Sequence, residues 1–200
     1  MRALEAREVS LNVNGRSHRV ALPANTTLLA ALRDLGYTDV KNGCEKGDCG
    51  ACAVLFDGRA VNSCLVLAWQ AEGAEILTNA GLGTLDRPHP IQEAFADAGA
   101  IQCGFCTPGM IIATKALLDR NPNPTEDEIR EALSGNLCRC TGYGQIVSAV
   151  RLAAERLARS SSSPASSLAE ATSASEDGRE RDQGDRVLAS DDETKAGDET

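Results

Sequence analysis

Residues 42–52 read Asn42-Gly-Cys-Glu-Lys-Gly-Asp-Cys-Gly-Ala-Cys52, so three cysteines lie within a single short loop. A fourth cysteine ends the second strand of the hairpin predicted after this loop, which completes the set Cys44, Cys49, Cys52 and Cys64 with the spacing C-x4-C-x2-C-x11-C. The interleaved glycines let the backbone wrap closely around a bound group without a Cβ in the way. The x4 and x2 intervals are those of plant-type [2Fe–2S] sites. This loop is therefore predicted to hold an iron–sulfur centre.

A second set of four cysteines lies in the C-terminal half. It comprises Cys103, Cys106, Cys138 and Cys140, with the spacing C-x2-C-x31-C-x1-C. The first two fall at the start of a predicted helix, whose positive end favours thiolates. The last two fall in the break between two later helices. A C-x-C pair would form a strained disulfide, but it can supply two ligands to one cluster. The sequence therefore predicts a second metal centre.

Zinc is the alternative that the cysteine spacing leaves open. Four thiolates suit a tetrahedral zinc ion, and C-x2-C is common in zinc sites, so this alternative applies mainly to the second set. Structural disulfides are disfavoured because the N-terminal residues are charged where a signal peptide would be apolar. A chain without a secretion signal is expected to be cytoplasmic, where thiols stay reduced.

The remaining sequence predicts an α+β fold in two domains. Residues 1–80 contain runs of alternating polar and apolar positions around Asn14-Gly15 and Asp57-Gly58, which predict two hairpins. A short helix is predicted between them at 28–35, and a further strand at 75–78. Residues 81–90 contain Gly and Pro without periodicity and form a predicted linker. Residues 91–159 have helical periodicity. The helices are predicted at 91–98, 108–118, 126–133 and 145–157, and the capping box Thr125-Glu-Asp-Glu128 begins the third.

Charge and composition exclude several function classes. Residues 160–200 carry 11 acidic and 4 basic residues and few apolar ones, which predicts a disordered acidic tail. The rest of the chain is nearly neutral and offers no basic face for nucleic acid. No apolar run reaches the ~20 residues of a membrane-spanning helix. The sequence has no G-x-G-x-x-G after a strand and no phosphate-binding loop, so it is not expected to bind FAD itself.

Three motifs together resemble one protein family. They are the loop at 42–52, Gln102-Cys-Gly-Phe-Cys-Thr-Pro-Gly109 and Gly135-Asn-Leu-Cys-Arg-Cys-Thr-Gly-Tyr143. These residues are similar to the iron–sulfur small subunit of the molybdenum hydroxylases, which include xanthine dehydrogenase, aldehyde oxidoreductase, carbon monoxide dehydrogenase and 4-hydroxybenzoyl-CoA reductase. The resemblance covers about residues 8–158, and all eight cysteine positions match.

The resemblance implies a fold and a set of cofactors. It implies a β-grasp ferredoxin-like domain followed by a four-helix domain, each holding one [2Fe–2S] cluster. It also implies a large partner subunit with a molybdenum–pterin cofactor and a medium partner subunit with FAD. By the same resemblance, Gln102 and Cys140 occupy the positions that lie against the pterin.

The function implied is electron transfer from the molybdenum–pterin site through the two clusters to FAD. No side chain of this chain is expected to be catalytic, and His18 and His89 are interpreted as structural or solvated. The overall likeness favours a purine substrate such as xanthine. Carbon monoxide, aldehydes, other N-heterocycles and 4-hydroxybenzoyl-CoA are alternatives. A free two-cluster ferredoxin and a zinc-binding module are the alternatives from other classes.

Overall fold

In the computed structural model, which describes residues 5–161, the first half of the chain forms a five-stranded mixed sheet. Its strands are β1 (Ala6–Val13), β2 (Arg16–Pro23), β3 (Ala53–Phe56), β4 (Arg59–Asn62) and β5 (Glu75–Leu77). The strand order is β2-β1-β5-β3-β4; β1 and β5 are parallel, and the other neighbours are antiparallel.

The first hairpin forms as its turn residues predict. Asn14 and Gly15 join β1 to β2 with φ angles of 52° and 74°, the left-handed conformation that a tight hairpin turn requires. Alternate residues of β1 point to one side of the sheet, so Val9, Leu11 and Val13 are all buried. This row forms the sheet's contribution to the core.

Helix α1 (Leu28–Asp34) contributes the other face of that core. Thr27 caps it by accepting a hydrogen bond from the backbone N–H of Ala30 at 3.2 Å. Leu28 and Leu32, one turn apart, are fully buried in the same apolar cluster as β1. The predicted helix is confirmed and ends one residue earlier than expected.

The second hairpin corrects one prediction. The strand expected to end at Cys64 stops at Asn62, and Cys64 lies in a 3₁₀ turn (Ser63–Leu65). The reason is a contact between residues that are 11 positions apart: the backbone N–H and the hydroxyl of Ser63 both donate to the carbonyl oxygen of Cys52, at 3.3 and 2.8 Å. This double contact closes the end of the hairpin and turns the chain, so Cys64 is brought beside Cys52.

The second half of the described chain is helical. Its core is a single apolar cluster that includes the fully buried Phe95, Met110, Ile129 and Ile146. The capping box predicted at Thr125 is present, with the Thr125 N–H donating to Glu128 Oε2 at 2.7 Å. The helices are α2 (Asn79–Leu82), α3 (Pro90–Asp97), α4 (Thr107–Arg120), α5 (Glu126–Leu133) and α6 (Gly144–Ser161).

Helix α2 was not predicted. It begins where side chains distant in sequence accept backbone N–H groups: Asn14 Oδ1 accepts from Thr78, and Asp39 Oδ2 from Ala80, both at 2.8 Å. These contacts cannot be predicted from the sequence of residues 79–82 alone.

The sheet and the helices pack directly against each other. Leu55 on β3 and Ile112 on α4 lie in one buried cluster, and both are at most 4% exposed. Residues 5–161 belong to one compact unit. The domain limits at residues 80 and 91 stay a prediction, and the predicted disordered tail falls almost entirely outside the described residues.

Candidate metal centres

The structure brings the first four cysteines together. Cys44 and Cys49 lie in the loop between α1 and β3 and are half-buried; Cys52 directly precedes β3 and is buried, as is Cys64. The Cys44 side chain interacts with Cys49, and the Cys52 side chain with Cys64. Cys44 also interacts electrostatically with Cys64, which closes the group.

The thiols of this set differ in acidity. The backbone N–H of Lys46 donates to Cys44 Sγ at 3.4 Å and, with a hydrogen bond from Cys49, lowers the pKa of Cys44 to about 7. Burial, together with the adjacent Cys52 thiol, raises the pKa of Cys64 to about 11. Since a buried thiol resists ionisation, its use as a thiolate requires a positive partner such as iron.

Gly43 leaves room for these sulfurs. A Cβ at residue 43 would lie only 2.8 Å from Cys49 Sγ, closer than two such atoms can approach. A larger residue would therefore displace the sulfur. The predicted role of this glycine, close approach of the backbone to the centre, fits its place in the loop.

The second four cysteines also converge. Cys103 lies in the loop before α4, Cys106 is the N-cap residue of α4, and Cys138 and Cys140 lie in the turn between α5 and α6. The Sγ atoms of Cys103 and Cys140 are 3.6 Å apart, and the side chains of Cys106 and Cys138 interact. Residues separated by 37 positions thus meet at one point.

Acidity differs within the second set as well. Burial raises the pKa of Cys106 to about 12, and the neighbouring Cys138 adds to the effect. Burial acts in the same direction on Cys138, but hydrogen bonds from the Thr141 hydroxyl and from nearby backbone N–H groups outweigh it and lower the pKa of Cys138 to about 7. Thiolate donors of this kind suit iron–sulfur clusters and zinc alike.

Tyr143 is a site residue that the sequence analysis did not single out. Its hydroxyl accepts a hydrogen bond from the backbone N–H of Cys138 at 2.8 Å and donates to the carbonyl oxygen of Asn136 at 3.3 Å. Tyr143 has a φ of 71°, an uncommon conformation for a bulky residue. The surrounding turn holds it there, and Tyr143 in turn fixes the backbone that carries Cys138. Only its position just after the cysteines could have drawn attention to it.

The two cysteine loops touch each other. The side chain of Asn136 is buried, and its Nδ2 donates to the carbonyl oxygen of Gly50 at 3.1 Å. Gly109 on α4 packs against the same carbonyl: a Cβ there would lie 2.3 Å from Gly50 O. The contact spans 86 positions of sequence, so no local motif could have shown it.

The pterin-facing residues implied by the resemblance lie at the surface. Gln102 and Cys140 are both exposed, and so is Cys103, which lies beside them. Two large apolar side chains nearby in sequence are also exposed, Phe105 at 48% and Leu137 at 56%. Exposed apolar side chains around a functional group are typical of a surface that binds a partner.

The two histidines have structural partners. His18 Nε2 is hydrogen-bonded to the Tyr37 hydroxyl at 2.8 Å, and His89 Nδ1 caps α3 by accepting from the Ile91 N–H at 3.2 Å.

Within residues 5–161, no group of three or more His, Cys, Asp or Glu side chains is arranged to hold a single metal ion. None of the helices in that range is long and apolar enough to cross a membrane.

Comparisons with known proteins identify two cluster-binding regions. Residues 11–79 match the 2Fe-2S iron-sulfur cluster binding domain, and residues 78–151 match the [2Fe-2S] binding domain. These matches cover both sets of cysteines and favour iron–sulfur over zinc at each.

Two relatives match this chain over nearly the whole of their own length. The nicotinate dehydrogenase small FeS subunit of Eubacterium barkeri is 52% identical over 151 residues, 75% of this chain and 96% of the relative. The xanthine dehydrogenase iron–sulfur-binding subunit of Escherichia coli O157:H7 is 48% identical over 144 residues, 71% of this chain and 91% of the relative. A chain of quinoline 2-oxidoreductase from Pseudomonas putida 86 superposes with a TM-score of 0.74 at 42% identity, covering 78% of this chain and 98% of that one.

Proposed function

Because the chain belongs to the family of iron–sulfur small subunits of the molybdenum hydroxylases, we propose that it carries electrons from a molybdenum–pterin partner to an FAD partner through two [2Fe–2S] centres in series. The observation that carries this proposal is the direct contact between the two sets of cysteines. In each set four thiols come together, and Asn136, two residues before Cys138, is hydrogen-bonded to Gly50, which directly follows Cys49.

Each set of cysteines is assigned to one cluster. The first centre would be held by Cys44, Cys49, Cys52 and Cys64, and the second by Cys103, Cys106, Cys138 and Cys140. When bound, each cluster supplies a carrier for one electron. The chain's own residues supply the thiolates, the hydrogen bonds to their sulfurs and the partial burial that together set the potential of each site.

The two sets of cysteines lie in different parts of the fold. The first set lies beside the mixed sheet and α1, which we interpret as the β-grasp domain. The second lies at the ends of α4, α5 and α6, which with α3 we interpret as the four-helix domain. The buried β3–α4 contact joins the two. The residues that carry the thiols therefore stand on packed elements, and a rigid frame keeps the distance between the centres constant.

The exposed residues near the second set of cysteines indicate which side of the chain binds each partner. Gln102 and Cys140 lie at the exposed side of the second set, so we assign this side to the molybdenum–pterin subunit. Phe105 and Leu137 would add apolar contact area there. The first centre is then the one that faces the FAD subunit.

The substrate class we propose is an N-heteroaromatic ring. Nicotinate, xanthine and quinoline, named in the three relatives described above, are all rings of this kind. Xanthine, the purine that the sequence favoured, is one member of the class. Substrate chemistry takes place on the partner subunit, so the test is made on the assembled complex with nicotinate, xanthine, quinoline and an aromatic aldehyde. Turnover of the aldehyde alone would contradict this assignment.

The ligand assignment is tested by one substitution in each set. In the assembled complex, Cys52→Ser is expected to remove or alter the electron paramagnetic resonance (EPR) signal of the first centre and leave that of the second, and Cys106→Ser is expected to do the reverse. Each centre thus serves as the control for the other. Retention of both native signals in either variant would overturn the assignment for that set.

Two alternatives from other classes predict different outcomes. A free two-cluster ferredoxin would purify as a lone monomer at all concentrations, whereas the proposed subunit is expected to co-purify with two larger chains. A zinc-binding module would be colourless and contain zinc, whereas the proposed centres give red-brown protein with iron and acid-labile sulfide.

A further inference from the structure

We propose that the Thr141 hydroxyl raises the reduction potential of the second centre through its hydrogen bond to the Cys138 sulfur. Oγ1 of Thr141 lies 3.0 Å from Sγ of Cys138. The inference rests on the proposed function in one respect, the assignment of Cys138 as a cluster ligand. It goes beyond that function by assigning a role to a residue that is not itself a ligand.

The direction of this hydrogen bond follows from the other partner of the hydroxyl. The backbone N–H of Tyr143 donates to Thr141 Oγ1 at 3.3 Å, so the oxygen acts there as an acceptor. A threonine hydroxyl has a single hydrogen, and that hydrogen remains available for the sulfur. The backbone N–H of Thr141 adds a second, longer contact to the same Sγ at 3.4 Å.

The position of the Cys138 sulfur is fixed from the backbone side. The N–H of Cys138 donates to the Tyr143 hydroxyl, which donates in turn to the Asn136 carbonyl. Thr141, Cys138 and Tyr143 therefore form a closed network within one turn. The hydroxyl is held against the sulfur by contacts on both sides and is not a freely rotating surface group.

The physical effect has a definite sign. A thiolate bound to a cluster carries more negative charge in the reduced state than in the oxidised state, so a donor aimed at its sulfur stabilises the reduced state more. Cys138 and Thr141 are both half-buried, and lower exposure to water strengthens such a contact. Removing the hydroxyl should therefore lower the potential of the second centre.

The Thr141 hydroxyl differs from other hydrogen-bond donors to the cysteine sulfurs because a substitution can remove it without changing a ligand. Cys44 Sγ receives its hydrogen bond from the backbone N–H of Lys46, and Cys103 Sγ is in contact with the thiol of Cys140. Backbone donors survive every side-chain substitution, and Cys140 is itself an assigned ligand. The Thr141 hydroxyl can be deleted while all eight assigned ligands stay in place.

The test is a redox titration of the assembled complex followed by EPR. Thr141→Val keeps the side-chain shape and removes the hydroxyl. At a fixed applied potential, the ratio of reduced to oxidised second centre should fall about 2- to 10-fold, the range that corresponds to one net hydrogen bond. The first centre should not shift. Thr141→Ser retains a hydroxyl and should titrate close to the wild type.

The matched control is Thr114→Val on α4. The Thr114 hydroxyl is buried and donates to the Met110 carbonyl at 2.8 Å, so the same substitution removes a hydroxyl that touches no cysteine. Neither centre should shift in this control. An unshifted second centre in Thr141→Val, an equal shift of both centres, or a shift in Thr141→Ser as large as in the valine variant would each overturn the proposal.

Two further variants distinguish a change in reduction potential from loss of the second centre and from a wrong ligand assignment. If Thr141→Val forms no second centre, Thr141→Ala is titrated instead with the same expected shift, and loss of the centre in both variants would overturn the tuning role in favour of a structural one. Cys138→Ser tests the premise separately. If it keeps a native second centre, the ligand assignment fails, whatever the Thr141 variants show.

Discussion

The backbone N–H of Leu137 donates a hydrogen bond to the carbonyl oxygen of Cys49, with 2.9 Å between nitrogen and oxygen. Leu137 directly precedes Cys138, so this bond joins the backbones of the two cysteine sets. The spacing between the centres is therefore fixed by direct loop-to-loop contact as well as by packing of the sheet against α4. An electron carrier with two centres needs such a fixed spacing.

Asn136 is expected to protect this junction. Asn136→Leu keeps the bulk of the side chain but removes its hydrogen bond to the Gly50 carbonyl, which then keeps only the Ala53 N–H; losing one such bond costs about 0.5–1.5 kcal/mol. Hydrogen exchange of the Leu137 amide, measured by mass spectrometry on the assembled complex, should become about 2- to 10-fold faster.

The control for that variant is Asn121→Leu, because the Asn121 side chain makes its hydrogen bonds at the surface, donating to Glu128 and accepting from the Asn123 N–H. The exchange rate around Leu137 should not change in the control. Equal rates in Asn136→Leu and the wild type would show that Asn136 does not hold the loops together.

Gly109→Ala is expected to push the first cysteine loop, which contains Gly50, away from α4. The added Cβ would meet the Gly50 carbonyl at 2.3 Å, and neither the helix nor the loop backbone can easily yield. Overpacking of this kind costs about 1–3 kcal/mol, so the thermal midpoint of the complex should fall by several degrees. Gly135→Ala is the matched control, since a Cβ at residue 135 meets nothing within 4 Å. A similar midpoint for both variants would contradict the close contact.

His89 is expected to make the stability of the chain depend on pH. Burial lowers the pKa of His89 below its usual 6.5, nearby Lys115 lowers it further, and Asp119 opposes them. The neutral ring caps α3 by accepting the Ile91 N–H, which a protonated nitrogen cannot do. Its stabilisation is therefore fully present above pH 6.5 and is lost as the pH falls through the lower value of the folded state.

The measurement is the thermal midpoint of the complex between about pH 5 and 8 for the wild type and His89→Asn. Asparagine also caps helices well but does not titrate in this range. The midpoint of the variant should depend less on pH, and the difference from the wild type should appear on the acidic side. Identical profiles would show that His89 does not titrate with folding.

Local patterns predicted much of the fold. The Asn14-Gly15 turn and the Thr125 capping box each depend on a few adjacent residues, and both formed as expected. Cys64 was misplaced because the strand before it ends through a contact of Ser63 with Cys52, which is not a sequence neighbour.

The cysteine sets could be grouped from spacing alone, but their surroundings could not. The Tyr143 hydroxyl acts across a turn on the backbone of Cys138. The hydrogen bond of Asn136 to Gly50 links the two halves of the chain. Such contacts form only once the helices have packed, so they cannot be predicted from periodicity or motif spacing.

The central claim, that this chain holds two [2Fe–2S] centres, is tested most directly by counting spins. The assembled complex is reduced with dithionite, frozen, and its EPR signal is integrated against a copper standard. Two distinct signals that together account for two unpaired electrons per chain are the expected result. No paramagnetic signal, or one that accounts for a single centre, from fully matured protein would contradict the account.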